Sequence, residues 1–333
     1  MKRKALFVCL LFAMTMLVLD NALMQQSVRL AMELCLTTVI PALLPFLVLI
    51  GPLQSIMSQQ YIPLSGFLGK IMGISKEQVN IFLLGLIGGY PMGARCIAEA
   101  VQTDQISIAD GKRLLCFCSN AGPAFLFGMG FNLFSNPWLC WLAWFIQILS
   151  AFTIAVLIPG RSTHTSNFKR KNEVSLADYL RSAINTIVII CLWVILFRLV
   201  IAFLAKWVLW MFPSTILIVL TGLLELTNGC AGLQTVANGE IRFLLFSGFL
   251  SFGGICIAMQ THCITKPQGI SIRTYLPAKL LQGFLSVLYA WMLYPTNNLY
   301  WLFLVFFGGV ITMKALGKRF HKISTGNSSP IPV

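Results

Sequence analysis

Apolar residues in this chain run together instead of alternating with polar ones. Such stretches cover about 5–19, 36–56, 79–98, 114–134, 137–158, 183–204, 214–237, 243–264, 276–294 and 299–313. Segments this long and apolar on every side predict helices that lie in lipid or against other helices. Two of them are broken. Val79–Val101 is cut by Gly88-Gly89-Tyr90-Pro91-Met92-Gly93-Ala94-Arg95, and Thr215–Ala237 by Glu225-Leu226-Thr227-Asn228-Gly229-Cys230-Ala231-Gly232. About nine or ten helix-forming residues precede each break, enough at 1.5 Å per residue to reach roughly halfway through a 30 Å hydrocarbon core. Lipid cannot satisfy backbone groups released at that depth, so each break must face protein or a watery cavity. Paired interruptions in matching places of two halves point to a transporter's solute site.

The basic residues decide how the segments thread. If every segment spanned and the N-terminus were cytoplasmic, the loop 159–182 would fall outside. That loop carries Arg161, Lys169, Arg170, Lys171 and Arg181, against the positive-inside rule. If the two broken segments are re-entrant hairpins, the loop moves inside, and both termini are cytoplasmic. Lys70, Lys76, Arg95, Lys112, Arg113, Lys266, Arg273 and Lys279 then share its side, and only Arg29, Arg198, Lys206 and Arg242 do not. Each half now reads helix, hairpin, helix, helix, the second half starting from the opposite side. The expectation is an all-α polytopic membrane protein with about eight spanning helices plus two re-entrant hairpins in an inverted repeat. Its divisions are an N-terminal helix (1–26), a first repeat (27–160), a cytoplasmic basic loop (161–182), a second repeat (183–296), and a last helix with a basic tail (297–333).

Composition narrows the class further. With 57% hydrophobic and 10% charged residues, no soluble fold of this length could bury its apolar surface. The net charge of +14 lies in loops and ends, where it orients the chain, and no nucleic-acid-binding motif accompanies it. Lys2-Arg3-Lys4 followed by an apolar run resembles a secretory signal. Asp20-Asn21-Ala22-Leu23 is a poor cleavage site, so the segment is read as a retained first helix. The ten cysteines are scattered singly apart from Cys116 and Cys118, and the histidines stand apart. No metal-ligand spacing, cofactor motif, nucleotide-binding loop or catalytic triad is visible, so an enzyme is not expected.

Candidate chemistry gathers at four breaks. Beside the two hairpins, Ser119-Asn120-Ala121-Gly122-Pro123 interrupts 114–134, and Ser251-Phe252-Gly253-Gly254 interrupts 243–264, with Gln260 two turns on. Half-helix N-termini suit an anion, and freed carbonyls suit a cation or hydroxyl donors. The candidate solute-binding set is Gly89, Tyr90, Pro91, Gly93, Arg95, Ser119, Asn120, Gly122, Glu225, Thr227, Asn228, Gly229, Gly253, Gly254 and Gln260. Glu225 is the sharpest member, because a carboxylate at the membrane centre costs roughly 2.5–3.5 kcal/mol even on the lenient insertion scale. It has three readings: proton or cation carrier, partner to a base such as Arg95, or capping acid. Arg95 either meets an anionic solute or snorkels to the interface. Arg198, in mid-helix, reads as the partner of a carbonyl or an acid. Candidate partners are a small anionic or nucleoside-like solute, a coupling proton or Na+, and the lipid bilayer.

At these motifs the chain resembles the sporulation integral membrane protein YlbJ family, whose members carry nucleoside-recognition (Gate-type) repeats. The resemblance rests on Gly89-Tyr90-Pro91-Met92-Gly93-Ala94, on Cys118-Ser119-Asn120 to Pro123-Ala124-Phe125, and on Leu224-Glu225-Leu226-Thr227-Asn228-Gly229-Cys230. Gly253-Gly254 to Gln260 and the early Ile40-Pro41-Ala42-Leu43-Leu44-Pro45-Phe46 extend it across most of 27–313. Where the family pattern has an Asn-Asn-x-Ser-Pro type run, this chain has Ser119-Asn120-Ala121-Gly122-Pro123, one polar side chain fewer. The resemblance implies a membrane protein of endospore formation linked to movement of dipicolinic acid into the spore. It also implies a likeness to nucleoside transporters with paired re-entrant hairpins. A planar dicarboxylate with a ring nitrogen would suit helix N-termini, an Arg and amide side chains.

Overall fold

Helix boundaries in this chain follow from two kinds of punctuation. At the ends of the bundle, Ser and Asn side chains cap the first free N–H groups: Ser75 with Gln78 in a capping box, then Ser107, Asn136, Ser175 and Asn238. In the middle, Gly and Pro stop helices with no such cap. The computed structural model describes residues 2–57, 65–158, 160, 175–295, 297, 299–305 and 307–309. Its helices are α1 (Lys2–Leu19), α2 (Asn21–Leu34), α3 (Ile40–Met57), α4 (Ser65–Met72), α5 (Lys76–Gly88), α6 (Met92–Gln102), α7 (Ile108–Cys118) and α8 (Pro123–Leu133). There follow α9 (Pro137–Leu157), α10 (Leu176–Trp207), α11 (Ser214–Leu224), α12 (Leu226–Gly232), α13 (Gly239–Phe252), α14 (Gly254–Thr265) and α15 (Tyr275–Leu293). An apolar helix runs over Tyr300–Gly309. No strand occurs among the described residues, and six helices are long and apolar enough to cross a membrane. The chain is a polytopic all-α membrane protein.

The apolar stretches anticipated these helices, with two differences. The span expected over 36–56 begins at Asn21, because α2 continues through a π-helical turn at Cys35–Val39 into α3. Gln25, Gln26, Arg29 and Glu33 hide its start from a hydropathy reading. The short helix α4 has no counterpart among the apolar stretches, and it meets α5 at 94°. Most of the basic loop (159 and 161–174) and the tail from 310 onward lie outside the described residues.

Both broken segments fold back on themselves. A β-carbon on Gly85 would stand 3.4 Å from Gly93 Cα, so α5 and α6 nearly touch there. A β-carbon on Gly229 would stand 2.2 Å from Gly222 Cα, so α11 and α12 approach closer still. A straight helix would separate residues seven or eight apart by about 10–12 Å. Arg113 settles the first hairpin's direction. It donates to the Met72 and Gly73 carbonyls before the hairpin, from α7 after it, and to Ile158 beyond α9. The hairpin therefore enters and leaves at one end of the bundle. At the other end, Arg242 reaches the carbonyls of Leu133 and Val236, and Asp20 pairs with Lys206 and accepts from Trp207.

Packing between the halves is reciprocal. Their first long helices, α3 and α10, lie together, as do their last, α9 and α15. Helix α9 also packs on α13 of the second half, while α15 packs on α7 of the first. Along α10, Ala183, Thr186, Ile187, Ile190, Val194, Phe197 and Ile201 face inward at helical spacing. Leu180, Ile184, Val188, Leu192 and Leu196 on its other side are exposed, as a lipid-facing surface requires.

Candidate functional site

The four breaks meet. The tip of the first hairpin lies against the break between α7 and α8, where a β-carbon on Gly89 would fall 2.4 Å from Gly122 N. The tip of the second lies against the break between α13 and α14, where one on Gly254 would fall 3.2 Å from Leu224 O. Tyr90 joins the two groups, its hydroxyl 3.4 Å from the carbonyl oxygens of Leu250 and Ser251. One cleft results, lined by Tyr90, Gly122, Phe125, Glu225, Thr227 and Gln260, with Ile190 and Val194 of α10 across from them. About 40 Å³ of it is open to a water-sized sphere. That is room for an ion or a few waters, not for an organic solute, which needs hundreds of Å³. The centre is closed in this conformation.

Glu225 caps α12. One carboxylate oxygen accepts from Thr227 N at 2.9 Å; the other accepts from Asn228 N and Asn228 Nδ2, each at 2.6 Å. Both oxygens act as acceptors, which is the bonding of a carboxylate, and the negative charge sits where the helix dipole favours it. Of the readings open to Glu225, the capping acid is the one seen in the bonding. The pairing with Arg95 is not: Arg95 donates instead to Thr186 Oγ1 at 2.5 Å and Ser182 Oγ at 3.0 Å, on α10. The nearer base is Arg198, whose guanidinium reaches Asn228 Oδ1 at 3.4 Å, with the Glu225 charge beyond. The other three internal N-termini, at Pro91, Gly122 and Gly253, carry no side-chain cap.

A vestibule of about 530 Å³ leads toward this centre between the first hairpin, α10 and α14. Pro91, Arg95, Arg181, Asn185 and Trp193 line it, and Ile190 and Gln260 line both vestibule and cleft. Beyond the Arg95 side chain a second space of about 170 Å³ reaches Glu99 and Tyr179. Asp178 lines both spaces, so basic, acidic and polar groups surround the vestibule, and two side chains stand between it and the cleft.

Behind the cleft is a residue that sequence reasoning misplaced. Lys279, counted with the basic residues of the cytoplasmic side, is fully buried. Its ammonium donates to Ser119 O at 2.8 Å, Gln282 Oε1 at 2.6 Å and Asn120 Oδ1 at 3.4 Å, and lies 5.4 Å from the centre of the Tyr90 ring. Gln282 donates to Asn120 Oδ1, Asn120 to Phe117 O, and Gln147 to Ala121 O. Of the carbonyls at the α7–α8 break, Phe117 O is therefore satisfied by Asn120 within the break, and Ala121 O and Ser119 O by side chains of α9 and α15. Tyr275, Lys279, Gln282, Ser286 and Tyr289 are spaced by three and four residues. That polar stripe was the available signal.

This chain is similar to a sporulation membrane protein. It is 24% identical, over an alignment of 311 residues, to the sporulation integral membrane protein YlbJ of Bacillus subtilis (strain 168), with 79% of this chain and 76% of that one covered. No family model matches the chain, and no solved structure matches it.

The candidate residues fall into groups. Tyr90, Gly122, Glu225, Thr227 and Gln260 line the cleft; Pro91 and Arg95 line the vestibule. Gly89, Gly253 and Gly254 are the contacts through which breaks touch, while Gly93 and Gly229 sit where hairpin arms cross, away from the cleft. Ser119 and Asn120 turn toward Lys279, and Asn228 turns toward Glu225 and Arg198.

Proposed function

We propose that this chain is a small-molecule transporter or permease component, with a small anionic solute such as dipicolinate as its cargo and a nucleoside-like solute as the runner-up. The observation that carries the reading is the convergence of four helix breaks on one cleft, reached through a vestibule whose charged lining is Arg95, Arg181 and Asp178. An arginine can hold a carboxylate by paired hydrogen bonds, and the uncapped N-termini of α8 and α14 favour negative charge further in. The similarity to a sporulation membrane protein supports a role in spore formation, and dipicolinate is the cargo that the family resemblance implies. Reciprocal packing of the two halves supports an inverted repeat, whose elements exchange access between the two sides of the membrane. The basic residues at the hairpin's open end support a cytoplasmic position for that end.

Uptake of labelled dipicolinate into proteoliposomes carrying the purified protein tests this, with labelled uridine in a parallel series. Saturable uptake of dipicolinate above empty vesicles is expected. Uptake of uridine alone would move the assignment to the runner-up. Uptake of neither by protein that is folded and inserted would sink transport and leave a structural protein of the forespore membrane.

A further inference from the structure

We propose that the Lys279 ammonium is a built-in cation, occupying a monovalent-cation site that the α7–α8 break creates. A helix broken in mid-membrane leaves carbonyl oxygens without N–H partners, and such oxygens, with amide side chains, are what hold Na+ in discontinuous helices. Here Ser119 O, Asn120 Oδ1 and Gln282 Oε1 converge on one point, and Lys279 Nζ is at that point. The hydrogen bonds fix which amide atoms face it. Asn120 spends its NH2 on Phe117 O, and Gln282 spends its own on Asn120 Oδ1 and Ser150 Oγ, so both amides present oxygen to the nitrogen. Two close acceptors and a third at 3.4 Å match the three N–H donors of an ammonium group. Among the described residues no carboxylate lies in ion-pair range of it. The positive charge is held by neutral oxygens, as an alkali cation would be, with the face of Tyr90 adding to the cage.

The arrangement is one-sided. The matching break in the second half, at Gly253, has Ser251 and Ser286 hydroxyls beside it, and among the described residues no lysine or arginine is recorded bonding there. The first half therefore needs no inorganic ion to hold its break together, and Lys279 ties that break to α15 of the other half. This holds whether or not the chain carries a solute, so the test reads stability and not uptake.

Thermal unfolding of the purified protein in detergent would be followed in chloride salts of Na+, K+, methylammonium and N-methyl-D-glucamine at equal ionic strength. Wild type is expected to melt at the same temperature in all four. Lys279→Ala should melt about 5–10 °C lower in N-methyl-D-glucamine. Na+ or methylammonium should recover that loss saturably, because either fits the vacated oxygen cage. A loss that no small cation recovers would overturn the proposal, and so would equal stabilisation of wild type and Lys279→Ala by Na+. If Lys279→Ala does not accumulate, Lys279→Ser takes its place in the same comparison, and a loss that Na+ and methylammonium do not recover defeats the proposal.

Discussion

Replacing Glu225 with Gln removes one formal charge and one hydrogen-bond acceptor, and the geometry says what each loss does. The carboxylate takes three donors on two oxygens. A glutamine has one oxygen to offer. Turned to serve Asn228 N and Nδ2, it sets its NH2 against the Thr227 N–H, donor against donor. A buried backbone N–H left without a partner costs about 1–3 kcal/mol. Loss of charge assistance in the two remaining bonds adds about 1 kcal/mol. Relief from burying a carboxylate offsets part of this, but Arg198 then loses the negative charge behind Asn228. The net expectation is a loss of about 2–3 kcal/mol, localised at the start of α12. Asp is a better cap than Gln, so Glu225→Asp should keep most of the stability. Membrane abundance and detergent melting temperature, measured for both variants beside solute uptake, check this. A Glu225→Gln protein as abundant and as heat-stable as wild type would refute the capping argument. If such a stable variant also failed to take up solute, Glu225 would act on the cargo or its coupling ion.

The close crossing at Gly222 and Gly229 predicts that Gly229→Ala, whose β-carbon would lie 2.2 Å from Gly222 Cα, pries the second hairpin open. Yield should fall by an amount set by about 1–3 kcal/mol of overpacking, and wild-type yield and uptake would argue against so tight a contact. Ile190 stands between vestibule and cleft, so Ile190→Ala should raise the rate of solute uptake at unchanged abundance, and Ile190→Trp should block it. Equal uptake by all three proteins would mean that solute does not pass this point.

Much of the fold was legible because lipid imposes one strong rule, that backbone polar groups be satisfied within the protein. Long apolar runs had to be helices, and Gly-Gly-Tyr-Pro and Glu-Leu-Thr-Asn-Gly had to be places where helices stop. The same rule explains the errors. Counting basic residues treats every lysine near a helix end as solvated, and Lys279 lies only four residues past the start of α15. Which lysine is buried depends on which carbonyls are free nearby, and those belong to α7, about 160 residues earlier in the chain. Arg95, read as meeting an anionic solute or snorkelling to the interface, lies on the hairpin's returning arm, α6. Its partners, Ser182 and Thr186, lie one turn apart on α10 and carry no sign of that role in sequence.

The distribution of empty space says where this closed molecule is easiest to open. Between α13 and α15, and between the hairpin tips and the neighbouring breaks, backbones approach so closely that added β-carbons would collide. Separating those surfaces would forfeit packing over their whole area. Between the first hairpin and α10 the opposite holds. Spaces of about 530 Å³ and 170 Å³ lie on the two sides of Arg95, and the hydrogen bonds to Ser182 and Thr186 bridge the gap between them. Those bonds join a charged group to hydroxyls that water, or an anion seated on Arg95, can replace at little net cost. A solute carboxylate arriving in the vestibule would compete for the guanidinium that fastens α10 to the hairpin. If the chain carries the proposed anionic solute, binding at the mouth would loosen the wall over Ile190.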